Sequence, residues 1–168
     1  MEQLNNEIEI LAKCNHPGII ELKTVFNDDS YIYMIMELAN DGTLFHALKK
    51  NKKLDEETTA NYMEQIINAI SYLHSMTPPI LHRDIKPENV LMSGNRLKLC
   101  DFGWSNLDKK DDIRNTFCGT PDYLSPEMIL GTGHNEKLDV WTLGILMFEL
   151  LQGRPPFSPT KKIKDKRL

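Results

Sequence analysis

His82-Arg83-Asp84-Ile85-Lys86-Pro87-Glu88-Asn89 is the stretch on which the reading of the fold turns. It is dense in charge, holds one proline, and lies between a long helical pattern and a short hairpin. Upstream, Asp55 has the chemistry of an N-cap, with Glu56 and Glu57 in the first turn where the helix dipole favours negative charge. Met63, Ile66, Ile67, Ile70 and Leu73 follow at core-facing spacing to about Ser75, and Pro78-Pro79 ends the helix. Downstream, residues 90–92 and 97–100 read as short strands joined by a turn at Ser93-Gly94-Asn95.

Working outward, Asn40-Asp41-Gly42 is a break, after which Thr43 caps a short helix through Lys50. Before it, residues 19–26 and 31–36 predict an antiparallel hairpin around Asn27-Asp28-Asp29-Ser30, with Ile20, Leu22, Thr24 and Phe26 on one face. The chain opens on Leu4, Ile8 and Leu11, one face of a helix that His16-Pro17-Gly18 stops. Residues 101–133 show little periodicity and predict a long functional loop. Residues 138–151 are apolar nearly all round, which predicts a buried helix closed by Gly153 and Pro155-Pro156. The final KKIKDKRL holds five basic residues in eight and reads as a solvated end. The fold class is α+β, with a small sheet at one end and a helical body.

The chain has 168 residues, enough for one domain with a real core. Lys plus Arg number 20 and Asp plus Glu 24, a formal net charge of −4, which argues against general binding to nucleic acid. Cys14, Cys100 and Cys118 are odd in number and far apart, so neither a disulfide framework nor a zinc site is expected, and a reducing compartment fits. No stretch reads as a signal peptide or a membrane span, so the expected setting is intracellular, without membrane contact.

The octapeptide fits H-R-D-x-x-x-x-N. Asp101-Phe102-Gly103 follows, then Ser125-Pro126-Glu127. Taken singly, Asp84 is a turn aspartate and Lys86 a surface lysine. Together and in this order the three motifs resemble the signature set of protein kinases. The resemblance narrows further. Asp101-Phe102-Gly103-Trp104-Ser105, Cys118-Gly119-Thr120-Pro121-Asp122-Tyr123-Leu124, Pro126-Glu127-Met128-Ile129 and His134-Asn135-Glu136-Lys137-Leu138-Asp139-Val140-Trp141 are similar to the Aurora family of serine/threonine kinases.

That resemblance implies a two-lobed fold: residues 1–36 a partial small lobe of one helix and a hairpin, 37–42 a hinge, and 43–168 a mainly helical large lobe lacking its last helices. It implies ATP as co-substrate and Mg²⁺ as metal, with transfer of the γ-phosphate to protein Ser or Thr hydroxyls in mitotic, cell-cycle signalling. Asp84 accepts the hydroxyl proton, Lys86 offers a cation to the moving phosphoryl group, and Asn89 and Asp101 hold the metal through hard oxygens. Glu37, Leu38 and Ala39 form the hinge that holds adenine, Met36 is its gatekeeper, and Glu88 and Asn89 line the nucleotide site. Thr116 takes the place of an activating phosphothreonine, with Arg83 and Arg114 as the cations that hold it. Glu7 matches the glutamate that pairs with an ATP-anchoring lysine. Leu11, Leu22, His82 and Phe102 form an internal stack with Asp139 as its base. Partners implied are Ser/Thr protein substrates and mitotic activators or scaffolds, at spindle, centrosome or chromosomes in nucleus and cytoplasm.

The sequence departs from that family in holding no GxGxxG and no V-A-I-K lysine ahead of Glu7. Asn5-Asn6 also stand where Aurora kinases carry basic residues that help hold the phosphothreonine. Little activity is expected of these 168 residues alone. The alternative reading is a non-catalytic interaction module, a kinase fragment that docks partners through its large-lobe surface.

Overall fold

The computed structural model describes residues 2–107 and 120–157. Arg114, Thr116, Cys118 and the basic tail lie outside them. The first helix, α1 (Glu2–Lys13), leads into the hairpin β1 (Leu22–Asn27) and β2 (Ile32–Met36). Asp28 builds the turn: its Oδ1 accepts from the N–H groups of Ser30 (2.8 Å) and Tyr31 (2.7 Å), an Asx arrangement that replaces backbone pairing. The predicted strand face differs from the observed one. A register shift between Leu22 and Thr24 changes the phase, so Val25 turns inward while Thr24 and Phe26 face solvent. Ile19 and Ile20 lie before the strand, both buried, and Ile19 bridges to Leu99.

Thr43 caps α2 (Leu44–Asn51) and Asp55 caps α3 (Glu56–Ser75), as their side chains predict. Asp55 Oδ1 accepts from Thr58 N–H at 2.8 Å. Next come β3 (Ile80–Leu81), a 3₁₀ turn at Pro87–Asn89, and the hairpin β4 (Val90–Ser93) with β5 (Arg96–Leu99). The strand β6 (Asn106–Leu107) pairs with β3, and a second 3₁₀ turn spans Pro121–Tyr123. The expected loop 101–133 therefore carries regular structure, including α4 (Pro126–Leu130). This helix is too short to show periodicity, yet it has full punctuation: Ser125 caps it, Pro126 starts it and Gly131 closes it in the left-handed conformation (φ 64°).

The last described helix, α5 (Lys137–Gln152), packs on α3. Its burial is one-sided. Leu138, Leu146 and Leu150 are fully buried, whereas Val140 is 60% exposed and Met147 47%. The all-round apolar pattern predicts cover on every side, and the described residues supply it on one. The main core runs from Ile10 and Leu11 in α1 through Ile66 and Leu73 in α3 to Leu146 and Leu150 in α5. His82 and Phe102 sit at its centre, both fully buried. Met128 and Leu138 form a smaller cluster of their own. The described residues form three two-stranded antiparallel sheets. Among the described residues no helix is long and apolar enough to cross a membrane.

Candidate active site

The segment 82–89 is held from below by Asp139 of α5. This carboxylate is fully buried and accepts from the backbone N–H groups of His82 and Arg83, each at 2.9 Å. His74 Nε2 approaches its Oδ2 at 2.7 Å. A buried carboxylate is costly unless its lone pairs are filled, and here two amides and an imidazole fill them. The result is a loop pinned to the helical body, with Arg83 buried and in the left-handed region (φ 69°). His82 stacks on Phe102 with ring centroids 4.9 Å apart. Full burial pushes its pKa below the usual value, against the pull of Asp139, Asp84 and Asp101, so the imidazole is neutral.

Above this base the polar side chains converge. Asn89 Nδ2 donates to both the carbonyl and Oδ2 of Asp84, each at 2.9 Å. Lys86 Nζ lies 2.8 Å from the same Oδ2. On the other side, Thr120 Oγ1 donates to Asp84 Oδ1 at 3.1 Å and accepts from Lys86 Nζ at 2.9 Å. Asp84 is thus a buried carboxylate, 5% exposed, fixed on both oxygens. The 3₁₀ turn Pro87–Asn89 brings Asn89 back onto it. Thr120 plays a part that no spacing in the sequence reveals, since it reaches Asp84 from 36 residues away.

The β4–β5 hairpin joins Asn89 to Asp101. Val90 pairs with Leu99, and Cys100 N–H donates to the Asn89 carbonyl at 3.0 Å. Asn89 and Asp101 therefore flank the base of one hairpin. Asp101 is exposed and in the left-handed region (φ 62°), which few residues other than glycine enter and which Asp tolerates better than most. Its Oδ1 accepts from Gly103 N–H at 3.3 Å. Among the described residues no cluster of three or more His, Cys, Asp or Glu would hold a metal alone. An amide oxygen and one carboxylate instead suit Mg²⁺, which keeps water and substrate phosphate in its shell.

Glu7 faces this region from α1, and its Oε1 accepts from Phe102 N–H at 3.3 Å. Burial, together with the charge of Asp101, pushes its pKa up, and the Phe102 N–H opposes the shift. Asn6 Nδ2 donates to the Ser105 carbonyl, so one of the two asparagines that break the family pattern ties α1 to the segment after Gly103. Of the residues expected to hold adenine, Glu37 is half-buried and pairs with Lys98, Leu38 is 80% exposed, and Ala39 is half-buried. Glu88 is exposed beside the Asp84 cluster. Of the residues expected to stack, Leu11, His82 and Phe102 are all buried and Leu22 packs half-buried against the same core.

The Asp84 cluster, the Asp101 conformation and the His82–Phe102 stack on a buried Asp139 coincide with one family. Residues 1–168 match the protein kinase domain. The chain belongs to the protein kinase family. It is 45% identical over 168 residues to Aurora kinase B of Mus musculus, covering 99% of this chain and 48% of that protein. To the Aurora kinase of Candida glabrata it is 44% identical over 163 residues, 96% of this chain and 45% of that one. To Aurora kinase A-A of Xenopus laevis it is 46% identical over 157 residues, 93% against 38%. This kinase chain spans about half the length, or less, of the curated relatives it matches.

One further pair was not legible in the sequence. Tyr123 OH donates to Glu149 Oε2, joining the turn after Thr120 to α5. Burial, the hydrogen bond and the charges of Glu149, Glu88 and Asp122 drive the phenol pKa far up. Burial also raises Glu149, partly offset by the Tyr123 hydroxyl.

Proposed function

We propose that this site transfers the γ-phosphate of ATP to Ser or Thr hydroxyls of proteins, as in the Aurora kinases. The observation that carries the reading is the fixed Asp84 carboxylate with Lys86 and Thr120 against it and Asn89 behind it. An incoming hydroxyl donates its proton toward Asp84 while its oxygen bonds to the γ-phosphorus, and the bond from that phosphorus to the bridging oxygen breaks to release ADP. Lys86 lies beside the carboxylate, where it balances charge on the transferring group. Asn89 and Asp101 would hold Mg²⁺, which neutralises phosphate charge when bound. Glu37, Leu38 and Ala39 would offer backbone to the adenine edge, with Met36 behind them, and Glu88 and Asn89 would line the nucleotide site.

The division into small lobe 1–36, hinge 37–42 and large lobe 43–168 belongs to the same reading. So does a mitotic, intracellular role at spindle, centrosome or chromosomes, with activators or scaffolds as partners. Thr116 is the regulatory phosphosite, held by Arg83 and Arg114, and Thr120 and Phe102, described on either side of its segment, both contact residues of the catalytic loop.

Nucleotide binding tests the metal assignment. Asp101→Asn is expected to weaken Mg²⁺-ATP binding about tenfold or more while leaving adenosine binding unchanged, because one charged ligand is lost. Calorimetry on the complete protein checks it. Equal weakening of adenosine, or none of Mg²⁺-ATP, would count against the site.

A further inference from the structure

Lys98, on β5, pairs with groups outside the Asp84 cluster and has no part in the chemistry described above. Its side chain is 14% exposed, deep for a lysine. Its ammonium lies 2.5 Å from Glu37 Oε1, a carboxylate only 20% exposed. It also donates to the Pro17 carbonyl at 3.0 Å. The two oxygens come from different segments, the hinge and the turn that follows α1.

The surrounding backbone tightens the same junction. Leu99 N–H donates to the Gly18 carbonyl at 2.8 Å, and Ile20 N–H donates to the Leu99 carbonyl at 2.9 Å. Glu37 N–H in turn donates to the Glu21 carbonyl at 2.9 Å. The segment 17–21 is therefore stitched to β5 on one side and to the hinge on the other. Lys98 closes the triangle by linking β5 directly to the hinge side chain. The next residues along β5 lead straight to Cys100 and Asp101, so one short strand fixes both a metal ligand and the hinge.

We propose that Lys98 is a positioning residue: its ion pair with Glu37 locks the hinge to the β4–β5 hairpin and so fixes the backbone of Leu38 and Ala39 relative to Asp101. The second half rests on the reading of 37–39 as the adenine site. An ion pair at this depth is restricted in geometry, and removing one member leaves the other partly buried without its counter-charge. At its 37–39 end the hinge then loses its side-chain tether and keeps the Glu37–Glu21 backbone bond, while its far end stays bonded to β4 through Asp41, Gly42 and Met92. Adenine contact and metal contact, which must be met at once by a single nucleotide, become less well matched.

Amide hydrogen exchange on the full chain without nucleotide tests the lock. Lys98→Met is expected to speed exchange at 19–21 and 36–39 by about fivefold or more, with α3 unchanged, because local opening at this junction becomes easier. Glu37→Gln, which leaves Lys98 on the Pro17 carbonyl, is expected to speed exchange at 36–39 alone. The double variant is expected to resemble Lys98→Met, since both changes remove one interaction. Unchanged hinge exchange in Lys98→Met would overturn the proposal. If Lys98→Met loosens the whole chain, Glu37→Gln decides: hinge-confined loosening supports the lock, and none overturns it. For the second half, Mg²⁺-ADP affinity in Lys98→Met is expected to fall about three- to tenfold. An unchanged affinity, in a protein whose parent binds Mg²⁺-ADP, would overturn the positioning role. A parent that binds no nucleotide would defeat the adenine-site reading and with it the positioning half, while the exchange result still decides the lock.

Discussion

Asp84 is the residue on which the proposed chemistry depends, and its burial explains why its neighbours are hydrogen-bond donors. A carboxylate with a 5% exposed residue around it needs hydrogen-bond donors, and Asn89, Lys86 and Thr120 supply them. Asp84 and Asn89 were legible because the motif places them five apart; Thr120 was not, because its contact is made through folding. Glu7 and Glu149 carry a pH dependence in the opposite sense. Both have pKa values raised by burial. The native state therefore binds protons more tightly than the unfolded chain at these sites. Stability from them is fully present below the unfolded carboxylate pKa and is lost as pH rises through the folded one. Glu7→Gln keeps an acceptor for Phe102 N–H without the charge. It is expected to melt above the parent at pH 7 and level with it at pH 4, as thermal unfolding at both values would show. Tyr123→Phe removes the donor to half-buried Glu149 and is expected to destabilise by about 1–3 kcal/mol in urea unfolding.

The elements were legible where local chemistry defines them. Thr43 and Asp55 cap their helices, and the β4–β5 hairpin turns at Gly94 (φ 60°). They were not legible where two signals compete or where the element is short. The register shift in β1 turned an apparent alternation out of phase, so Phe26 is exposed on the hairpin against Tyr33, ring centroids 4.9 Å apart. The five residues of α4 give no period to read. Its cap is a direct check: Ser125→Ala removes the acceptor for Met128 N–H and is expected to cost about 1 kcal/mol by chemical denaturation. The C-terminus of α5 offers a larger effect. Gly153 is left-handed (φ 78°), donates to the Glu149 carbonyl at 2.7 Å, and has the Lys52 carbonyl where a Cβ would go. Beside it Leu54 N–H donates to the Leu150 carbonyl at 2.8 Å. Gly153→Ala is thus expected to cost about 2–4 kcal/mol through strain and the parting of this joint. A loss below 1 kcal/mol would show that the joint yields easily.

At the scale of the whole molecule, the main core takes side chains from α1, α3 and α5. Phe102 contributes a side chain to that core and a backbone N–H to Glu7 of α1. That bond ties α1 to the residue next to Asp101. The family was legible from three short motifs because they carry chemistry, whereas the one-sided burial of α5 was not, because hydropathy alone does not say which partner covers a face. Val140, Trp141 and Phe157 line an open groove there, with Trp141 and Phe157 stacked at 5.8 Å. The central claim is that Asp84 and its donors promote phosphoryl transfer to protein hydroxyls. The measurement that meets it head-on is transfer of labelled γ-phosphate from Mg²⁺-ATP to a Ser/Thr protein substrate by the complete protein, parent against Asp84→Asn. The account predicts transfer to Ser or Thr that falls about 10²–10⁴-fold in Asp84→Asn, with Mg²⁺-ATP affinity retained. Transfer at the parent rate by Asp84→Asn would contradict it.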